Sequence, residues 1–127
     1  SDRNIKLNIT AIMTIKQVKD VLKYLNPKTP SYISIFAGRI ADTGVDPGPI
    51  MIKALKLMKR NKESELIWAS TREVFSITQA SKLNCHIITV TSDLIKKLSL
   101  HNYNLEKYSL DTVKGFYKDA LESNYKI

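Results

Sequence analysis

Short apolar runs alternate with longer amphipathic ones along the whole chain, and this alternation limits the fold more than any other feature of the sequence. Side chains on a strand repeat every second residue, whereas those on a helix repeat every third or fourth. Strands are predicted at Ile5–Ile12, Tyr32–Ala37, Glu65–Ser70 and His86–Val90. Between the first two, Thr14 is placed to cap a helix carrying Val18, Val21, Leu22 and Leu25, which Asn26-Pro27 and Pro30 then close. The second strand ends at Gly38 and runs into a loop, Ala41–Gly48. A second helix, Pro49–Arg60, opens on a proline, which the first turn tolerates. Its inward set is either Ile52, Leu55 and Met58 or Met51, Leu55 and Met58. Val74, Ile77 and Ala80 mark a third helix, and Thr91 or Ser92 caps a fourth over Asp93–Leu98. A last helix begins near Ser109 and carries Val113, Phe116, Tyr117, Ala120 and Leu121 along one side.

The order is (βα)4 plus a terminal helix, an α/β chain expected to form a single domain over residues 1–127. Strands separated by helices pair in parallel through right-handed crossovers. Four such units suit a small open sheet, and they also make half of a (β/α)8 barrel. Periodicity leaves both open. At 43% hydrophobic and 25% charged, the chain can bury a core without a disulfide or structural metal. The single cysteine, Cys85, excludes an internal disulfide and points to a reducing compartment. No apolar run approaches the roughly 20 residues that span a bilayer, and no signal peptide opens the sequence. A cytoplasmic setting with no membrane partner is therefore expected. The net charge of +8 is spread over Lys16, Lys19 and Lys23, then Lys53, Lys56 and Lys59, then Lys96 and Lys97. Most of these fall on polar helix faces, the usual pattern of a solvated surface. No basic stripe interleaved with aromatics is present, so nucleic acid is not the expected partner.

Functional residues in parallel α/β folds gather where the strands run out into their loops. The first strand ends with Asn8 and Thr10 on one face, and the second offers Ser34 and Phe36 at the same parity, then Arg39. The third finishes Trp68-Ala69-Ser70-Thr71-Arg72. Taken singly, each has a plain structural role: an arginine as a surface ion pair, Ser70 and Thr71 as helix caps, Trp68 and Phe36 as core. Their placement at equivalent points of three consecutive strands favours a shared site for a polar anion. Arg39 and Arg72 supply charge-assisted bonds to a phosphate, and the Ser70 hydroxyl completes the cradle.

These same residues carry a resemblance. Leu7-Asn8-Ile9-Thr10-Ala11-Ile12, with Gln17 after it, resembles the fifth-strand motif of transaldolases. Tyr32-Ile33-Ser34-Ile35-Phe36-Ala37-Gly38-Arg39-Ile40, followed by Asp42, is similar to the sixth-strand signature, with Ile35 where a proline is usual. Ala69-Ser70-Thr71-Arg72 resembles the seventh, with Thr71 in place of an aromatic residue, and Cys85–Val90 is similar to the eighth. The Val113–Asp119 stretch fits the family's last helix.

The resemblance implies strands five to eight of a transaldolase-like (β/α)8 barrel, in the branch of small transaldolases and fructose-6-phosphate aldolases. That family moves a dihydroxyacetone unit between sugar phosphates through a lysine Schiff base, with no cofactor and no metal. Carried over by motif, Arg39, Ser70 and Arg72 hold the phosphate, while Asn8 and Ser34 bond the dihydroxyacetone unit. Thr10 positions the catalytic water, and Phe36, a tyrosine in the aldolase branch, lines the site. The family's lysine lies on its fourth strand, and this chain matches from the fifth onward, so the chain alone is expected to be inactive. Lys6 shares the parity of Asn8 and Thr10 but lies about 13 Å down the strand from Thr10, at the wrong end. Four strands without their partners are also expected to expose two edges and an apolar face. Homo-oligomerisation or association with an N-terminal half-barrel follows as the expectation. The alternatives are a fructose-6-phosphate-aldolase-like lyase and a non-catalytic phosphate-binding half-barrel.

Overall fold

The computed structural model of the chain describes residues 5–123. Four strands, β1 (Leu7–Ile12), β2 (Ser31–Ile35), β3 (Ser64–Trp68) and β4 (Ile87–Ile88), form one sheet in the order β1-β2-β3-β4. Every neighbouring pair is parallel, as the alternating pattern requires. Helices α1 (Ile15–Tyr24), α2 (Ala37–Asp42), α3 (Pro47–Leu57), α4 (Phe75–Lys82), α5 (Ser92–Lys97) and α6 (Leu105–Glu122) complete the element order, with short 3-10 turns at Met58–Arg60 and Leu98–Leu100. The chain divides into two compact units between Ile95 and Lys96. No described helix is long and apolar enough to cross a membrane.

Local chemistry explains where the helices of the first unit start. Thr14 Oγ1 accepts from the Gln17 amide at 3.2 Å, and Gln17 Oε1 accepts in return from the Thr14 amide at 3.0 Å. This reciprocal cap satisfies amides that the first turn would leave open. Asp46 caps α3 by accepting from the Gly48 amide at 2.8 Å, and Pro47 follows in the first turn, two residues ahead of the predicted start. Along α3 and into the 3-10 turn after it, Met51, Ala54 and Met58 are buried and Leu55 is half-buried, while Ile52 is exposed, which selects the second of the two predicted inward faces. The lysines of α1, α3 and α5 lie exposed, as a solvated face should.

The core lies on one side of the sheet. Ile33 and Ile35 of β2 and Leu66 and Trp68 of β3 pack with Val18 of α1 and Met51 and Ala54 of α3. Burying each large apolar side chain contributes about 1.5–3 kcal/mol, more than the roughly 1 kcal/mol typical of one cap, so this layer sets where the helices lie. The other side carries Asn8, Tyr32 and Glu65 in register, with Ser34 and Ile67 one step further on. Lys6 Nζ sits 4.8 Å from the centre of the Tyr32 ring. That face is largely polar, which corrects the expectation of an apolar one.

Three further differences have local causes. β2 ends at Ile35, and Phe36 (φ −81°, ψ 68°) turns the chain directly into α2, where a strand end and a loop were predicted. β4 holds only two residues, because the Leu66 amide below it donates to His86 Nδ1 at 2.9 Å rather than to a strand carbonyl. In the second unit α6 starts at Leu105, not near Ser109, because Asn104 accepts from the Lys107 amide at 3.0 Å and nucleates the extra turn. That start is braced by Tyr103, which stacks edge-on to Tyr108 at 6.0 Å and donates to Asp111 at 2.8 Å.

β1 also departs from strict alternation. Its register with β2 slips between Ile9 and Ile12, and Ala11 adopts a left-handed backbone with φ 61°. The extra residue is a β-bulge, and it returns Ile12 to the face that Ile9 occupies, so that Ile12 joins the core. An alanine pays a steric cost at such a φ that glycine avoids and a β-branched residue multiplies. Ala11→Gly is accordingly expected to raise stability by up to about 1 kcal/mol and Ala11→Val to lower it by at least that much, read by urea unfolding. Identical midpoints for all three proteins would show that the bulge carries no strain.

Candidate functional site

The polar residues picked out at the strand ends fall into two groups. The first lies on β1 and β2. Asn8 faces Tyr32 in register, and Ser34, two residues along, lies diagonally across the same face. Ser34 Oγ donates to Asn8 Oδ1 at 2.9 Å, with Ser34 buried and Asn8 open to solvent. This bond occupies the acceptor of Asn8 and leaves its amide nitrogen without a partner among the described residues. Thr10, exposed, precedes the bulge and so keeps the parity of Asn8. Phe36 is half-buried at the mouth of β2, where it is the capping residue of α2 rather than a strand residue.

The second group is built on the meeting of α2 with the end of β3. The Gly38 amide donates to Ala69 O at 3.4 Å, and a side-chain carbon at Gly38 would overlap the carbonyl oxygen of Ser70. Ser70 itself adopts φ 61°, a left-handed turn that swings the chain from β3 toward Arg72. The Arg72 stem passes close to the same glycine, with its Cγ 3.2 Å from where a Cβ would stand. Its guanidinium Nη2 donates to Asp42 Oδ2 at 3.1 Å. Arg39 is exposed on α2, one residue after Gly38 and three before Asp42, and it makes no ion pair among the described residues. A groove of about 490 Å³ adjoins this group, lined by Asp42, Val45, Trp68, Arg72 and Gln79 among others. Trp68 belongs to the core as predicted, yet its indole N–H is buried without a partner among the described residues, as is the Thr71 hydroxyl.

Among the described residues no cluster of His, Cys, Asp and Glu is arranged to hold a metal ion. Burial pushes the Cys85 thiol above its ordinary range, which keeps it protonated and a weak nucleophile. Hydrogen bonding with Tyr32 raises Lys6, which holds it as an ammonium ion, the wrong form to attack a carbonyl. Asp42 and Gln17 were seen in the sequence only as parts of motifs. Gln17 is engaged in capping α1, and Asp42 holds Arg72. The pairing of Asp42 was not legible because the segment carrying it was read as a loop, where helical spacing has no meaning.

The sequence matches that of known proteins. A family profile described as Transaldolase/Fructose-6-phosphate aldolase matches residues 1–127. A probable transaldolase 2 of Listeria monocytogenes is 35% identical over 117 residues, covering 91% of this chain and 49% of that protein. A probable transaldolase of Methanococcus vannielii is 29% identical over 115 residues, covering 87% of this chain and 52% of its own length. One from Streptococcus pyogenes is 30% identical over 102 residues, covering 80% and 46% respectively. The chain thus spans about half the length of the curated relatives it matches.

The contact at Gly38 gives a direct test of how this corner is built. With Ser70 backbone in the way, Gly38→Ala is expected to cost about 3 kcal/mol, at the upper end for overpacking, because backbone cannot move aside as a flexible side chain does. The same change at Gly44, with nothing within 4 Å but a φ of 82°, should cost only about 1 kcal/mol. Thermal or urea unfolding that ranks Gly38→Ala as the milder variant would contradict the packing described.

Proposed function

Since this chain belongs to the transaldolase/fructose-6-phosphate aldolase family, we propose that it provides the sugar-phosphate-binding part of a transaldolase-like site. In this reading Arg39, Ser70 and Arg72 hold the phosphate. Asn8 and Ser34 hydrogen-bond the dihydroxyacetone unit, Asn8 through the amide nitrogen that Ser34 leaves unoccupied. Thr10 positions a water for proton transfer, and Phe36 lines the site. The observation that carries the reading is the seating of α2 on the end of β3, which joins Ser70, Arg72 and the helix bearing Arg39 into one packed corner. The resemblance puts a tyrosine at this position in the aldolase branch, so Phe36 together with Asn8 favours a transferase.

The reaction needs an amine that attacks the ketose carbonyl, so that the resulting iminium can take up the electrons of the cleaved carbon–carbon bond. Lys6 is ill suited by place and by charge, and Lys16, Lys53 and the other helix lysines lie on exposed helix faces. The relatives are about twice as long. The reading therefore assigns the Schiff-base lysine to sequence outside these residues, and this chain to strands five to eight of a (β/α)8 barrel. Each of β1 and β4 has a strand neighbour on one side only among the described residues. Unpaired strand edges seek partners, and the proposed partner is an N-terminal half-barrel or a second copy of this chain. Because the second face of the sheet is polar, the association rests on backbone pairing at the edges rather than on burial of that face.

Calorimetric titration with fructose 6-phosphate tests the site. Losing one charge-assisted contact should make Arg39→Ala about 10- to 100-fold weaker than the wild type; equal affinities would sink the assignment. The 127-residue chain by itself is expected to yield no borohydride-trapped adduct with that ligand and to scatter light with a mass above its 14.4 kDa. A trapped adduct would place the nucleophile within this chain, and a monomer mass would remove the edge-pairing argument.

A further inference from the structure

We propose that Asp42 is a positioning residue, one that sets the Arg72 guanidinium for phosphate without touching the phosphate itself. The inference rests on the phosphate-binding reading above and goes beyond it by assigning a residue that the motif comparison left without a role. Gly38 and Asp42 stand four residues apart on α2 and therefore share one face of the helix. That face meets the end of β3 twice. At Gly38 it closes on the Ser70 backbone and on the Arg72 stem, whose Cγ comes within 3.2 Å of the glycine's missing Cβ position. At Asp42 it takes the Arg72 head, with Nη2 to Oδ2 at 3.1 Å. Arg72 is thus held at both ends by one helix, while Nε and Nη1 make no hydrogen bond among the described residues.

An arginine free in solvent loses much of its rotamer freedom when it grips an anion. Asp42 removes part of that freedom beforehand. The pair is half exposed, with side-chain exposures of 50% and 54%, so its effect is modest, up to about five-fold in affinity. A competing effect has the opposite sign. Neutralising a carboxylate near the site makes the field more positive, which would tighten phosphate binding in a salt-dependent way, with or without Arg72.

A double-mutant cycle separates the two, with fructose 6-phosphate and dihydroxyacetone as the titrants. Asp42→Asn should weaken the phosphate ligand by about three- to five-fold, leave dihydroxyacetone binding unchanged and leave thermal unfolding unchanged. Asp42→Glu, which keeps the carboxylate, should recover most of the loss. In an Arg72→Ala background, Asp42→Asn should have no further effect. If Arg72→Ala weakens phosphate binding while Asp42→Asn matches or exceeds the wild type, the positioning role is overturned and the phosphate site stands. If Arg72→Ala binds as the wild type does, the phosphate reading itself falls, and the role of Asp42 with it.

Discussion

The seating of Gly38 against the backbone of Ser70 governs how the chain is arranged where β2 and β3 end. Helix α2 is only six residues long, and it reaches the end of β3 because its second residue has no side chain. From that contact follow the position of the Ser70 turn, the path of the Arg72 stem and the meeting of Arg72 with Asp42. A methyl group at Gly38 would push helix and strand apart. Such contacts are unforgiving because both surfaces are backbone, and neither can change rotamer to make room.

The sheet divides its labour by face. One side is fully apolar at its centre and holds α1 and α3 through Ile33, Ile35, Leu66 and Trp68. The other carries Asn8, Tyr32, Ser34 and Glu65, groups suited to hydrogen bonds and charge. The bulge at Ala11 serves both sides. It lets Thr10 keep company with Asn8 and still delivers Ile12 to the core one step later. A regular strand would have turned Ile12 toward the polar face.

Much of this was legible from residue pattern. Parallel pairing followed from strands spaced by helices, the Thr14 cap from its place before Val18, and the shared face of Asn8 and Ser34 from parity along the strands. Three features were not. The helix Ala37–Asp42 is too short to display a period, and its glycine suggested a loop. The early start of α6 depends on one side chain, Asn104, acting as a cap five residues before the predicted start at Ser109. The polarity of the second face was written in Lys6, Asn8, Tyr32 and Glu65, but only the register between strands gathers those residues on one surface.

By itself, then, the sequence determined the alternation of strands and helices, the parallel sheet, the apolar face and the family, because these depend on periodicity and on motifs contiguous in the chain. Tertiary structure decided which polar groups meet. Asn8 and Ser34 are 26 residues apart, and Asp42 and Arg72 are 30. No local pattern couples residues at such separations; the register of the strands and the packing of α2 on β3 bring them together. The resemblance of Ala69-Ser70-Thr71-Arg72 to the seventh-strand motif of transaldolases singled out Arg72 from the sequence alone. What holds that arginine in place became visible only when Gly38 had closed on Ser70 and carried Asp42 within reach.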